Sequence, residues 1–289
     1  NFFEAYNNLG MLYESQGLKE DAISNISRSL KINNDYLPAY QNLGTSLKDH
    51  NFSNENNDLE KIIEIFLKKN IVRPRNIEKA TISLLHNNKT IKQIFEKNLY
   101  VNLNKNFDQI ISDISNNHLL LQIMKKSPIT DKTFEDLFIN LRHYTLMSLN
   151  NLRDNDNLLK FLSSLSIQCF INEFIYPEKN EETKALLNLE RKINEKFKKK
   201  ELPKKIMVLC LASYRKIFKK NWSKSFHLSD DLIENKKRLI DDPRLEEKYL
   251  KRIPALKSIS NTVSLKVKEQ YEENPYPRWE SISLPLRQL

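Results

Sequence analysis

The sequence predicts an all-α fold, and three observations support that prediction. Apolar residues recur at helical spacing along most of the 289 residues, and no segment alternates like a half-buried strand bounded by turn glycines. Glycine is scarce, with three in the whole chain. A segment near the start is repeated at a spacing typical of paired helices. We expect helix pairs over residues 1–49, an irregular helical domain over 50–255, and a helix with a proline- and aromatic-rich linker over 256–289.

The repeat consists of two similar segments that lie 34 residues apart. Ala5-Tyr-Asn-Asn-Leu-Gly10 returns as Ala39-Tyr-Gln-Asn-Leu-Gly44. In this period and pattern, the stretch from Phe3 to about Lys48 resembles the tetratricopeptide repeat family, with one full repeat and part of a second. It departs from the family at Ser29 and Asn34, where alanine and proline are usual.

Paired helices of this kind need neighbours. Gly10 on the first helix and Ala22 on the second let the two helices approach closely. One and a half repeats bury too little apolar surface alone, since at least about three are normally required. We therefore expect further repeats upstream of Asn1, in a longer protein, or the helices that follow, to cover the pair.

The resemblance implies a peptide-binding face on the first helix of each pair. The residues predicted to line this face are Asn7, Asn8, Met11, Gln41 and Asn42. Asn8 and Asn42 lie one period apart and would form a ladder that hydrogen-bonds the backbone of an extended peptide. The alternative is that they are polar positions that contact only solvent.

Residues 50–255 keep the helical period without the repeat. One apolar run lies within 134–144 and another within 158–169. Asp131 precedes the first run and is typical of a helix start. Cys169 and Cys210 have no metal-ligand spacing and lie in apolar surroundings, so we expect two buried free thiols. The five histidines are dispersed, and no metal site is predicted.

Two motifs resemble another kind of protein. Gln168-Cys-Phe-Ile-Asn-Glu-Phe-Ile-Tyr176 and Glu269-Gln-Tyr-Glu-Glu-Asn-Pro-Tyr-Pro-Arg-Trp279 are similar to segments of bacterial proteins in which tetratricopeptide repeats and a helical region precede a class I S-adenosylmethionine-dependent methyltransferase domain. The resemblance implies a downstream catalytic domain that uses that cofactor. The cysteine pattern argues against a secreted disulfide framework and the sequence shows no signal peptide, so we expect a cytoplasmic protein. This chain has no glycine after Gly44, so we expect neither the glycine-rich cofactor loop nor catalytic residues within it. Whether the full-length protein is an enzyme stays open.

The end of the chain carries a motif rich in proline and aromatic residues. A helix from about Thr262 to Glu273 is expected to stop before Pro275, because the residue that precedes a proline is pushed out of helical geometry. The large side chains of the motif would dock this region on a following domain, or would form the rim of its cofactor or substrate pocket. The residues of this predicted surface are Tyr271, Asn274, Tyr276, Arg278 and Trp279.

Positive charge is concentrated between Arg191 and Lys220, where twelve basic residues stand against two acidic ones. Such a segment is typical of binding to nucleic acid or to an anionic membrane surface, or of a solvated helix face. No apolar stretch is long enough to span a membrane. Four aromatic residues lie among or beside the basic ones, namely Phe197, Tyr214, Phe218 and Trp222.

These features predict a module that binds a protein or peptide and presents substrate to a methyltransferase domain in cis, without catalysing a reaction itself. The alternatives are a stand-alone peptide-binding scaffold and a helical protein that binds nucleic acid. The sequence after Leu289 would separate the first two, because an acidic residue and a glycine-rich loop after a hydrophobic strand would favour the enzyme.

Overall fold

The computed structural model describes residues 2–224, 232–253 and 261–273. Within these ranges every regular element is helical and none is a strand, which confirms the predicted all-α fold. The chain divides into two compact units, Asn1–Asp242 and Pro243–Leu289. None of the helices in the described ranges combines the length and the apolar character that crossing a membrane would require.

Three helices occupy the repeat region: α1 (Phe2–Ser15), α2 (Lys19–Ile32) and α3 (Leu37–Leu47). Helix α2 packs against both α1 and α3. Gly17 lies in the turn between α1 and α2 with a φ of 77°, which glycine adopts without strain. The predicted close approach at Gly10 is confirmed, because a Cβ placed there would lie 2.6 Å from Cγ1 of Ile26 and 3.1 Å from the backbone oxygen of Ala22.

The next helices are α4 (Asn57–Lys69), α5 (Pro74–Asn87), α6 (Lys89–Glu96), α7 (Leu103–Asn116), α8 (His118–Lys126) and α9 (Lys132–Ser148), with a 3₁₀ turn at Leu99–Val101 before α7. Side chains fix the start of several of them. Asn56, Asn88, Asn117 and Asp131 accept hydrogen bonds from backbone amides in the first turns of α4, α6, α8 and α9. The cap at Asp131 and the helix behind it confirm the predicted helix start.

The first unit continues with α10 (Asp156–Ile171), α11 (Asn180–Lys198), α12 (Lys205–Ala212) and α13 (Ile233–Lys236), with 3₁₀ turns at Ile217–Lys219 and Asn221–Lys224 and a π-helical turn at Lys237–Asp241. Helix α10 is the most deeply buried of these elements. Every residue from Phe161 to Ile171 is buried, and α10 contacts α7, α8 and α12. The predicted helix within 158–169 is therefore confirmed.

Buried apolar side chains form two clusters in the first unit. The larger one extends from α2 to α10 and also includes Ile206 and Leu209 of α12. The smaller one is built mainly from α11, the rest of α12 and the 3₁₀ turns that follow. Helix α10 contributes to both, with Leu165 in the larger cluster and Phe170 in the smaller one. Cys169 and Cys210 are free and buried, as predicted.

The second unit contains α15 (Thr262–Glu273) and all of α14 (Asp242–Leu250) except its first residue. Helix α15 confirms the helix predicted from about Thr262 to Glu273. The side chains of residues 262–268 and 270 are exposed.

Candidate functional site

The predicted peptide-binding face lies on α1 and α3, which are joined by a side-chain hydrogen bond. Nδ2 of Asn42 donates to Oδ1 of Asn7 over 2.9 Å. Asn7 is buried and Asn42 is partly buried, whereas Asn8, Met11 and Gln41 are exposed. The five predicted residues therefore separate into a bonded pair and three side chains that are open to solvent.

The bond between Asn7 and Asn42 changes the expected ladder. The 34-residue period matches Asn8 with Asn42, but the contact forms between residues 35 apart, across the interface of α1 and α3. A side-chain amide has two donor hydrogens and an oxygen that can accept two hydrogen bonds, so one bond leaves Asn42 with capacity for a ligand. Peptide binding at this face stays a prediction.

Helix α1 also carries an apolar face, and the two copies of the repeat differ in how far it is covered. Leu9 and Leu12 are exposed, whereas Leu43, the repeat equivalent of Leu9, is fully buried. Ala5 is exposed, and its equivalent Ala39 is buried. The neighbours explain the difference, because α3 packs against α1, α2 and α5, while α1 packs against α2 and α3.

A buried guanidinium lies where α9 meets the end of α12 and the turn after α10. Arg142 is 2% exposed. Its Nη1 donates to the carbonyl of Ser213 over 3.3 Å, and its Nη2 donates to the carbonyls of Tyr176 and Pro177 over 3.3 and 2.8 Å. The guanidinium carbon lies 4.0 Å from the centre of the Tyr214 ring. Backbone carbonyls and an aromatic face therefore accommodate this charge.

Tyr214 contacts the guanidinium through its ring and a buried carboxylate through its hydroxyl. The hydroxyl donates to Oε1 of Glu182 over 2.5 Å, and Nδ1 of His143 lies 3.4 Å from the same oxygen. The other oxygen of Glu182 accepts the amide of Lys179 over 2.8 Å at the start of α11. Burial raises the pKa of Tyr214 far above its ordinary value, although Arg142 opposes the shift, so Tyr214 acts as a neutral donor.

Cys169 and Cys210 lie within the electrostatic influence of Arg142. Burial raises the pKa of each thiol to about 12, although the positive charge of Arg142 opposes the shift. A thiol that stays protonated at neutral pH is a poor nucleophile, so neither cysteine is suited to nucleophilic catalysis. Across the described ranges, no group of three or more His, Cys, Asp or Glu side chains is placed to hold a metal ion.

The motif at 168–176 ends α10 and forms the turn that delivers the Tyr176 carbonyl to the buried guanidinium. Oδ1 of Asn172 accepts the amide of Phe174 over 3.1 Å inside this turn. Glu173 and Phe174 both have left-handed backbone geometry, with φ of 58° and 57°. Such a conformation costs of the order of 1 kcal/mol for a residue with a side chain. The bonds to Asn172 and to the Tyr176 carbonyl offset this cost.

Of the four aromatic residues in or beside the basic segment, three are buried and Phe197 is partly exposed. Tyr214, Phe218 and Trp222 are buried, and Phe197 stacks on Trp222 with ring centres 5.2 Å apart and planes 6° from parallel. Base stacking by proteins that bind single-stranded nucleic acid requires exposed aromatic faces. These four rings do not supply such a surface. The basic side chains at the end of α11 instead line a groove together with α9 and α12.

The predicted docking surface at the end of the chain lies almost entirely outside the described residues. Asn274, Tyr276, Arg278 and Trp279 are outside them. Tyr271 lies in α15, where only the helical backbone is described. The docking strap and the pocket rim both stay predictions.

Sequence reasoning missed the Arg142 centre, although a signal for it exists. Arg142 follows Leu141 and lies at helical spacing from Phe138 and Thr145, all of which are buried. A charged residue on the buried side of a helix indicates a built polar centre. The basic segment at 191–220 indicates the charged rim of the groove lined by α9, α11 and α12, whereas no local signal shows that α9 supplies part of its floor.

Comparisons with protein-family models, with curated proteins and with solved structures find no match to this chain. Function is therefore inferred from the residues, from the contacts described above and from the resemblance of the sequence motifs.

Proposed function

We propose that this chain is a protein-interaction module that holds an extended segment of a partner across α1 and α3. The bond from Asn42 to Asn7 supports this proposal most directly, because it joins the two helices and leaves Asn8, Met11 and Gln41 exposed near it. Amide side chains pair with the backbone of an extended peptide, and methionine adapts to partners of different shape.

We also propose that the module presents its bound partner to a class I methyltransferase domain in a longer cytoplasmic protein. The resemblance of the motifs at 168–176 and 269–279 supports this part of the proposal. S-adenosylmethionine would be the cofactor of that domain. The residues of this chain do not fit a glycine-rich cofactor loop, since none of its glycines lies beyond Gly44, and no step of the reaction is assigned to them.

Peptide selection tests the interaction face. Random peptides of about 12 residues, which span about 40 Å when extended, are selected on the whole chain, and the enriched sequences are measured by isothermal titration. We expect the double variant Asn8→Ala, Gln41→Ala to bind them about thirtyfold more weakly, because each of the two lost hydrogen bonds is worth about 1 kcal/mol.

Ser24→Ala is the matched control, because Ser24 is an exposed polar residue on α2, away from the predicted face. It should leave the affinity unchanged. Selected peptides that bind the double variant and the wild type equally would show that this face is not the binding site.

A further inference from the structure

A second surface of the first unit is amphipathic and does not belong to the face on α1 and α3. It is a groove of about 380 Å³ between the end of α9, one side of α11 and the start of α12. The apolar residues that line it are Leu146, Met147, Leu149, Ala185, Leu189 and Met207. Below this groove lies the smaller hydrophobic cluster, to which Leu146 and Leu189 belong.

The floor of the groove is adaptable as well as apolar. Leu146 and Leu189 are buried and form its base, while Met147 is 45% exposed and Leu149 and Met207 are partly exposed. Two of the four methionines of the chain therefore line one groove. Unbranched, polarisable methionine side chains are common at surfaces that bind apolar partners.

One rim of the groove is positively charged. Lys192, Lys196 and Lys199 follow one another at helical spacing at the end of α11, and Lys204 joins them just before α12. Glu195 is the acidic residue among the lining residues, and its carboxylate is 2.8 Å from Nη1 of Arg191. Lys196 also pairs with Glu201, over 2.5 Å. The other three rim lysines still leave an excess of positive charge beside an apolar floor.

We propose that this groove binds an acidic amphipathic helix of a partner protein. A helix that presents leucine-like side chains at i, i+3, i+4 and i+7 would place them on the floor, and its flanking carboxylates would face the lysines. The volume matches a few aliphatic side chains, and a partly exposed floor suits a helix laid across it. The aliphatic floor and the buried aromatic rings of the basic segment disfavour a nucleic acid.

Binding of a designed peptide to the whole chain tests this proposal. The probe is an N-acetylated, C-amidated helical peptide of about 15 residues, with leucines at the stated spacing and glutamates beside them. A peptide of identical composition with scattered leucines controls for the helical pattern. A third peptide with lysine in place of glutamate controls for charge. Isothermal titration at low and moderate salt measures each affinity.

The variants separate the groove from net charge. Lys192→Glu with Lys199→Glu reverses two charges on the rim, and Lys184→Glu with Lys198→Glu reverses two charges on the same helix at residues that do not line the groove. We expect the rim variant to lower the affinity for the acidic peptide at least about tenfold, and the control pair to lower it less than about threefold. Met207→Glu on the floor should weaken it as strongly as the rim variant.

Several outcomes would overturn the proposal. They are absence of binding at low salt, equal binding of the scattered-leucine peptide, and equal losses in the two charge-reversal variants. Binding to phosphatidylglycerol vesicles or to single-stranded RNA that the rim variant alone abolishes would assign the groove to a membrane or to a nucleic acid instead. Circular dichroism on each variant confirms that its helices are retained. The variants of α1 and α3 should bind the acidic peptide normally, so this test is independent of the peptide-binding face.

Discussion

Arg142 carries a positive charge at a position that is only 2% exposed, and its surroundings are arranged to hold that charge. Taking a guanidinium out of water costs several kcal/mol unless its donors are satisfied. Carbonyls of Ser213, Tyr176 and Pro177 accept from its two terminal nitrogens, and the Tyr214 ring faces it, while its buried Nε has no hydrogen-bond partner among the described residues. The three carbonyls belong to the chain after α10 and after α12, so one side chain on α9 connects both segments.

Replacing Arg142 should therefore destabilise the first unit. In Arg142→Met the carbonyl oxygens lose their charged donor while they stay buried, and we expect the free energy of unfolding to fall by about 2–4 kcal/mol. The free energy of unfolding of Arg142→Lys should lie between those of Arg142→Met and the wild type, because an ammonium donates to the carbonyls but cannot stack on Tyr214. Urea unfolding followed by circular dichroism measures both.

Arg191→Met is the matched control for this change. Arg191 lies on the exposed face of α11 and pairs with Glu195 in solvent, where an ion pair contributes little. A loss of stability in Arg191→Met equal to that in Arg142→Met would contradict a specific role for the buried carbonyl contacts.

At the level of single elements, short polar side chains decide where several helices begin. The Asn56 and Asn117 side chains accept an amide at the start of α4 and α8, and Asn88 ends α5 and caps α6. Asp131 caps α9 through the amides of Thr133 and Phe134. Such caps accept amide hydrogens that have no partner within the helix. The abundant asparagine of this chain thus has a structural use at helix starts.

The cap at Asp131 should make stability depend on pH. Burial alone would raise the pKa of Asp131, but hydrogen bonds from the His86 side chain and from the Phe134 and Thr133 amides outweigh it and hold the pKa below the ordinary 3.8. A lowered carboxyl pKa contributes stability above the unfolded-state value, and the contribution is lost as pH falls through the folded-state value. We expect the free energy of unfolding of Asp131→Ala at pH 6 to be lower than that of the wild type by about 1 kcal/mol or more.

The stability gap between wild type and Asp131→Ala should shrink as pH falls below 3.8, as measured by urea unfolding at a series of pH values. Asn117→Ala provides the comparison, because Asn117 caps α8 through an uncharged side chain that does not titrate. If the stability lost in Asp131→Ala stays constant through this pH range, as the loss in Asn117→Ala should, the lowered pKa of Asp131 does not stabilise the fold.

How far the sequence predicts the molecule depends on how local each feature is. The helices within 134–144, 158–169 and 262–273 are predictable because their period or their stop signals lie in neighbouring residues. The hydrogen bond between Asn7 and Asn42 cannot be predicted in this way, because its register depends on the angle at which α1 meets α3. The groove is less predictable still, because α9, α11 and α12 each supply part of it.

At the scale of the whole first unit, α10 joins the two hydrophobic clusters, and α9 and α12 also contribute residues to both. Phe161 and Leu165 belong to the larger cluster, while Ile167 and Phe170 belong to the smaller one. A helix buried on all sides cannot lose its packing on one side without exposing apolar surface on the other. The clusters should therefore unfold together, although the residues that build them are largely separate along the chain.

A mutation that destabilises the larger cluster should thus also lower the urea concentration at which the smaller cluster unfolds. Phe161 is fully buried in the larger cluster. Phe161→Ala should therefore lower the free energy of unfolding by about 3–5 kcal/mol. Trp222 is buried in the smaller cluster, and in a Trp279→Phe background it is the only tryptophan of the chain. We expect Phe161→Ala to move the Trp222 fluorescence transition in urea by as much as the transition seen by circular dichroism, whereas Leu187→Ala at an exposed position should move neither. A Trp222 transition that keeps its midpoint while the circular dichroism transition shifts would show that the clusters unfold separately.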